Sequence, residues 1–70
     1  MMKNMQEYWA EALPLIEEKT SSLVFNSWLK SLKPVRMNDR TLVLLCEDEM
    51  GRTIIERRYQ ELLESAIQTV

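Results

Sequence analysis

Apolar residues recur at two different periods along the chain, and the change of period lays out its elements. Met5, Tyr8, Trp9, Ala12, Leu13 and Ile16 stand three and four apart, which gathers them into one stripe along a helix. Asn4 lies three residues ahead of Glu7, the spacing of a capping box in which each side chain satisfies a free backbone N–H of the other. Pro14 falls inside the stripe, where it removes the hydrogen bond to the carbonyl of Ala10 and crowds that carbonyl, at ~3 kcal/mol in a straight helix. The expectation is a kink or a break, with Glu17 and Glu18 suited to the first turn of a restarted helix.

A second helical stripe follows in Val24, Phe25, Trp28, Leu29 and Leu32, with Ser21 or Ser22 as its N-cap. Lys30 and Lys33 fall near its C-terminal end, where the dipole favours cations, and Pro34 is expected to stop it. The period then shortens to two. Thr41 to Cys46 reads as a strand with apolar residues on both faces, Asn38-Asp39-Arg40 supplies the turn, and Val35 to Met37 is the weakly written partner strand. Asp48 caps a third helix, along which Met50, Ile54, Ile55, Tyr59, Leu62, Leu63, Ala66, Ile67 and Val70 keep the helical period. Gly51, the only glycine, sits in its first turn, where the helix penalty of ~1 kcal/mol does least damage. The order helix, helix, strand, strand, helix describes one α+β domain over residues 1–70, whose hairpin must pack against helices because a free one is marginal.

Composition narrows the class. A chain of 70 residues with 46% apolar and 29% charged residues is an ordinary globular domain with room for one core. At this size only about 60% of the unfolded surface is buried, so support from a partner or a self-contact is an advantage. The net charge of -2 gives a field that repels phosphates and disfavours strong general nucleic-acid binding. Nothing approaches the ~20 apolar residues of a membrane span, the single Cys46 makes no internal disulfide, and the expected address is cytoplasmic.

No catalytic constellation is written here, and the chain does not read as an enzyme. There is no histidine, Cys46 lies in an apolar strand with no base beside it, and no ligand spacing for a metal occurs, so neither a metal nor a cofactor is expected. One glycine is too few for a phosphate-binding loop of the Walker type. The rival to a protein-docking role is weak single-stranded nucleic-acid binding through Lys30, Lys33, Arg36, Arg40, Arg52, Arg57 and Arg58. Phosphate binding of that kind would weaken steeply with salt.

Trp9, the block Phe25-x-x-Trp28-Leu29, Leu32-Lys33-Pro34, Asp39-x-Thr41-Leu42, Asp48-Glu49-Met50 and Glu56-Arg57-Arg58-Tyr59 stand together in one register over roughly residues 5 to 67. In this order they resemble the N-terminal domain of the bacterial replication initiator DnaA. The resemblance implies a KH-like fold and an interaction module that self-associates and docks the replicative helicase or regulators of initiation. A stand-alone modulator that pairs with DnaA is an alternative. The Gly-x-x-Gly loop by which KH modules clamp single strands is absent.

Residue by residue, the resemblance implies self-association at Trp9 and partner binding at Val24, Ser27, Trp28, Asp48 and Met50. Each also has a purely structural reading. Trp9, Phe25 and Trp28 lie on core stripes, Met50 is equally a gap filler, Asp48 is sufficiently explained as a cap, and Tyr59 reads as core with its hydroxyl at the rim. Three departures from the family pattern stand out. Glu47-Asp48-Glu49-Met50 replaces a more common Pro-Asn-x-Phe, Pro14 interrupts a usually continuous helix, and Val70 is reached before the family's final strand. The expected fold therefore lacks that strand, and self-association is expected to cover the hairpin edge.

Overall fold

The computed structural model describes residues 3–38 and 41–70. Helix α1 (Met5–Glu18) is followed by a short α2 (Ser22–Val24), which continues into a π-helical turn (Phe25–Leu29). Strands β1 (Lys33–Asn38) and β2 (Thr41–Leu45) form an antiparallel hairpin, and α3 (Glu49–Ile54), a second π-helical turn (Ile55–Tyr59) and α4 (Gln60–Thr69) complete the chain. The α+β order read from the sequence is the one observed.

The caps explain where the helices start. Asn4 Oδ1 accepts from the Glu7 N–H at 2.9 Å, and the Asn4 N–H donates to Glu7 Oε1 at 3.2 Å, closing the capping box. Ser21, not Ser22, caps α2 by accepting from the Val24 N–H at 3.2 Å. Asp48 caps α3 by accepting from the Met50 N–H at 3.2 Å. The helix α1 does not break at Pro14 but runs through it to Glu18. Pro14 is exposed, so its ring points to water and only one backbone bond is given up. Glu17 and Glu18 consequently end α1 instead of starting a new helix, against the dipole's preference for cations there. The last turn closes through the Lys19 N–H and the Thr20 hydroxyl, both donating to the Ile16 carbonyl. Pro14→Ala is expected to restore the missing bond and raise stability by up to ~3 kcal/mol, read as a higher urea midpoint in circular dichroism.

Two further boundaries differ from the sequence reading. The second helix ends near Leu29, and Pro34 does not stop it but lies in β1 opposite Leu44. Strand β1 tolerates the proline because its register shifts by a bulge immediately afterwards, between Pro34 and Arg36. Strand β2 ends at Leu45, leaving Cys46 outside it with its Sγ donating to the Asp48 carbonyl at 3.3 Å. Asn38 and Thr41 form the last strand pair, and the proposed turn residues Asp39 and Arg40 lie outside the described residues.

The core gathers Trp9, Ala12 and Ile16 from α1, Phe25 and Leu29 from the first π-turn, Leu32, Ile55 from the second π-turn, and Leu63 and Ala66 from α4. Leu42 and Leu44 of β2 pack against it as half-buried neighbours, which is how the hairpin gains the support it needs. Lys3 ties the two ends of the chain together. Its ammonium donates to Glu11 Oε1 and to the Val70 carbonyl, each at 2.8 Å, and lies 5.4 Å from the centre of the Tyr8 ring. The hydrogen bond to Glu11 raises the Lys3 pKa above its ordinary value of 10.5, with nearby charges adding and desolvation opposing.

Candidate protein-docking site

The first turn of α3 approaches the π-turn of the second helix closely at Gly51. Gly51 is buried, and a Cβ built on it would lie 2.6 Å from Cδ1 and 3.1 Å from Nε1 of the Trp28 indole, and 3.2 Å from Oδ2 of Asp48. The indole thus rests directly on the backbone of that turn, which is the requirement that only glycine meets. Gly51 is in the helix start for this contact, a reason the sequence reading did not supply.

This contact sets the neighbourhood of the residues singled out from the sequence. Val24 and Trp28 are half-buried, each packed against the core on one side, while Ser27 and Asp48 are exposed. Met50 is 71% exposed, so it fills no gap in the core. Trp28 and Asp48 accordingly meet at Gly51, which follows Met50 in the chain, and Glu47 and Glu49 flank Asp48 in sequence as exposed residues. A second exposed apolar side chain, Leu23 of α2 at 76%, has no place in the sequence reading. Its signal was available, since Leu23 stands off the Val24, Phe25, Trp28, Leu29 stripe and has no helical neighbour to bury it.

Trp9 is placed differently. Its ring is 6% exposed within the core cluster, in the company of Ala12 and Ile16. Phe25 is core as well, and Tyr59 is half-buried against it. The helical turn carrying Phe25 and Trp28 is π-helical, with the Lys30 N–H donating to the Phe25 carbonyl at 2.8 Å; such turns often mark functional positions.

Among the described residues, several basic side chains have acidic neighbours. Lys33 is paired with Glu47 at 3.6 Å, and Arg57 and Arg58 share a shallow hollow with Glu56, Glu61 and Glu64. Lys30 and Arg36 are exposed, Arg52 borders a separate groove, and Arg40 lies outside the described residues. Interleaved signs of this kind cancel over a Debye length.

A family comparison decides what kind of domain carries this surface. The pattern of the DnaA N-terminal domain family matches residues 6–69, nearly the whole chain. The chain belongs to the DnaA N-terminal domain family. That membership ties it to DnaA and the initiation of DNA replication. Among the described residues of this DnaA N-terminal domain, no helix is long and apolar enough to cross a membrane, and no group of three or more His, Cys, Asp or Glu is arranged to hold a metal ion.

A groove of about 530 Å³ separates β2 from α3 and α4, floored by Leu42, Leu44, Ile55, Leu63 and Ile67. It borders the strand that lacks edge protection. Pro34, the bulge, Lys33 and Arg36 all lie on β1, whereas β2 reads Thr41-Leu42-Val43-Leu44-Leu45 with neither charge nor proline.

Proposed function

We propose that this DnaA N-terminal domain is a non-enzymatic docking module that binds the replicative helicase or regulators of initiation through α2, its π-turn and the start of α3. The observation that carries the reading is Met50, 71% exposed and next in sequence to the Gly51 on which the half-buried Trp28 indole rests, where the family resemblance assigns partner binding. A large apolar side chain in water is uninformative singly, but one set against a partly covered indole provides the anchor and rim that interfaces use. The whole molecule exposes 5450 Å², above the ~4,600 Å² expected for a compact monomer of this mass. Surface of that kind is available to a partner. Work at the chromosome gives the domain a cytoplasmic setting.

Met50→Ala tests the reading. Because the side chain is exposed, the unfolding free energy from a urea titration should stay within ~0.5 kcal/mol of the parent. Capture of purified replicative helicase, followed by surface plasmon resonance, should weaken by roughly tenfold, as for a residue worth over 1 kcal/mol in an interface. Unchanged affinity would remove Met50 from the surface.

Self-association is the second part of the proposal. Trp9, being core, would act in it by shaping α1 rather than by presenting its ring, and the unshielded β2 edge offers a place for a second copy. Sedimentation velocity should show the mean mass rising with concentration into the high micromolar range. A constant monomer mass throughout would count against it. Weak contact with single-stranded nucleic acid ranks below both, because Lys33 and the Arg57-Arg58 pair already have acidic neighbours.

A further inference from the structure

The two halves of the proposed docking surface are carried by different parts of the chain, and they meet in a close contact at Gly51. Trp28 and Ser27 come from the first π-turn, while Asp48 and Met50 come from the entry to α3, with the whole hairpin between them in sequence. The contact is the indole of Trp28 on the bare backbone of Gly51, at a separation that a Cβ would violate at 2.6 Å. Real Cβ contacts essentially never come that close, so any side chain at 51 must move the indole or the helix.

We infer that Gly51 is a positioning residue that sets the spacing between Trp28 and Met50, and with it the shape presented to the partner. The inference rests on the docking surface proposed above. The indole cannot absorb an added methyl group by a small adjustment. The clashing atom Cδ1 belongs to a rigid indole ring that is already packed against the core on its other side. The second neighbouring residue is Asp48 through its Oδ2, and Oδ1 of that same carboxylate accepts from the Met50 N–H, so displacing Asp48 also disturbs the cap that orients Met50. A wedge at 51 therefore reaches both halves of the surface at once. Helix propensity does not oppose it, because alanine is a better helix former than glycine.

The test is a cycle of Gly51→Ala, Trp28→Phe and the double variant, all in the full chain. Phenylalanine keeps a Cδ atom near that of the indole but lacks Nε1 and the fused second ring, so its smaller ring can turn away from an added Cβ at 51. Circular dichroism should stay helical in all three. Nuclear magnetic resonance of Gly51→Ala should show shifted signals for the Trp28 indole N–H and the Met50 amide. Affinity for purified replicative helicase should fall roughly fivefold or more in the parent background, and less than about twofold when residue 28 is already phenylalanine, as expected for contacting residues. An equal fall in both backgrounds would overturn the inference, because the loss would not pass through the indole. Unshifted Trp28 and Met50 signals in Gly51→Ala would overturn it too. A parent domain that does not capture helicase defeats the docking reading, and the two resonances then decide the spacing claim alone.

Discussion

Leu29→Ala should remove about 2–5 kcal/mol of stability, the range for emptying a fully covered leucine site. Leu29 has no exposure at all, and it is one of the two largest completely buried side chains together with Ile16. A domain of this length is stabilised by roughly 4–10 kcal/mol in total, so the variant should lie close to its unfolding threshold at 37 °C. Urea titration followed by far-ultraviolet circular dichroism measures the loss directly. A change under ~1 kcal/mol would mean that the π-turn does not seat Leu29 in the core.

Trp28→Ala should cost somewhat less in stability and far more in binding. Part of the indole is already in water, so the loss should be nearer ~2–3 kcal/mol than the upper range for a covered tryptophan. The removed ring is also the floor on which the start of α3 rests, through Gly51. As a central aromatic anchor its truncation should cost ~2 kcal/mol or more of docking energy, roughly thirtyfold in affinity. The comparison with Leu29→Ala separates the two effects. At low temperature, with both variants folded, Leu29→Ala should capture helicase at parental affinity and Trp28→Ala should not. Equal weakening of both would show that fold integrity alone governs capture.

Much of the architecture was legible in the chain because its period and caps are local properties. Asn4 with Glu7, Ser21 and Asp48 mark three helix starts by side chains that act within three residues, and the switch to alternation marks β2. At Pro14 the sequence predicts a kink or a break, and α1 does not break there. Whether a helix continues past a proline depends also on the tertiary packing of its other residues, here Trp9, Ala12 and Ile16 in the core. Pro34 was read as a stop because its tolerance depends on a bulge in the strand pairing, a tertiary feature. The two π-turns were invisible. Residues three and four apart fit an α-helix or a helix with one added residue equally well, and the irregular backbone of Tyr59, at φ -121 and ψ 0, has no signature in that spacing.

The site divides along the same line. Met50 and Leu23 could be placed on the surface only once the packing was known, since both are apolar residues in helical stretches. Gly51 carried a stronger clue than its helix penalty. A lone glycine in a chain otherwise free of it signals a close approach, yet the approaching group, Trp28, lies 23 residues earlier and no local rule connects them.

The most direct measurement is a titration of the isotope-labelled domain with unlabelled replicative helicase, followed by nuclear magnetic resonance. The amides of Leu23, Ser27 and Met50 and the indole N–H of Trp28 should shift or broaden first, while α4 stays unmoved. Perturbation confined to the groove between β2 and α4, with Trp28 and Met50 untouched, would contradict the assignment of the docking surface.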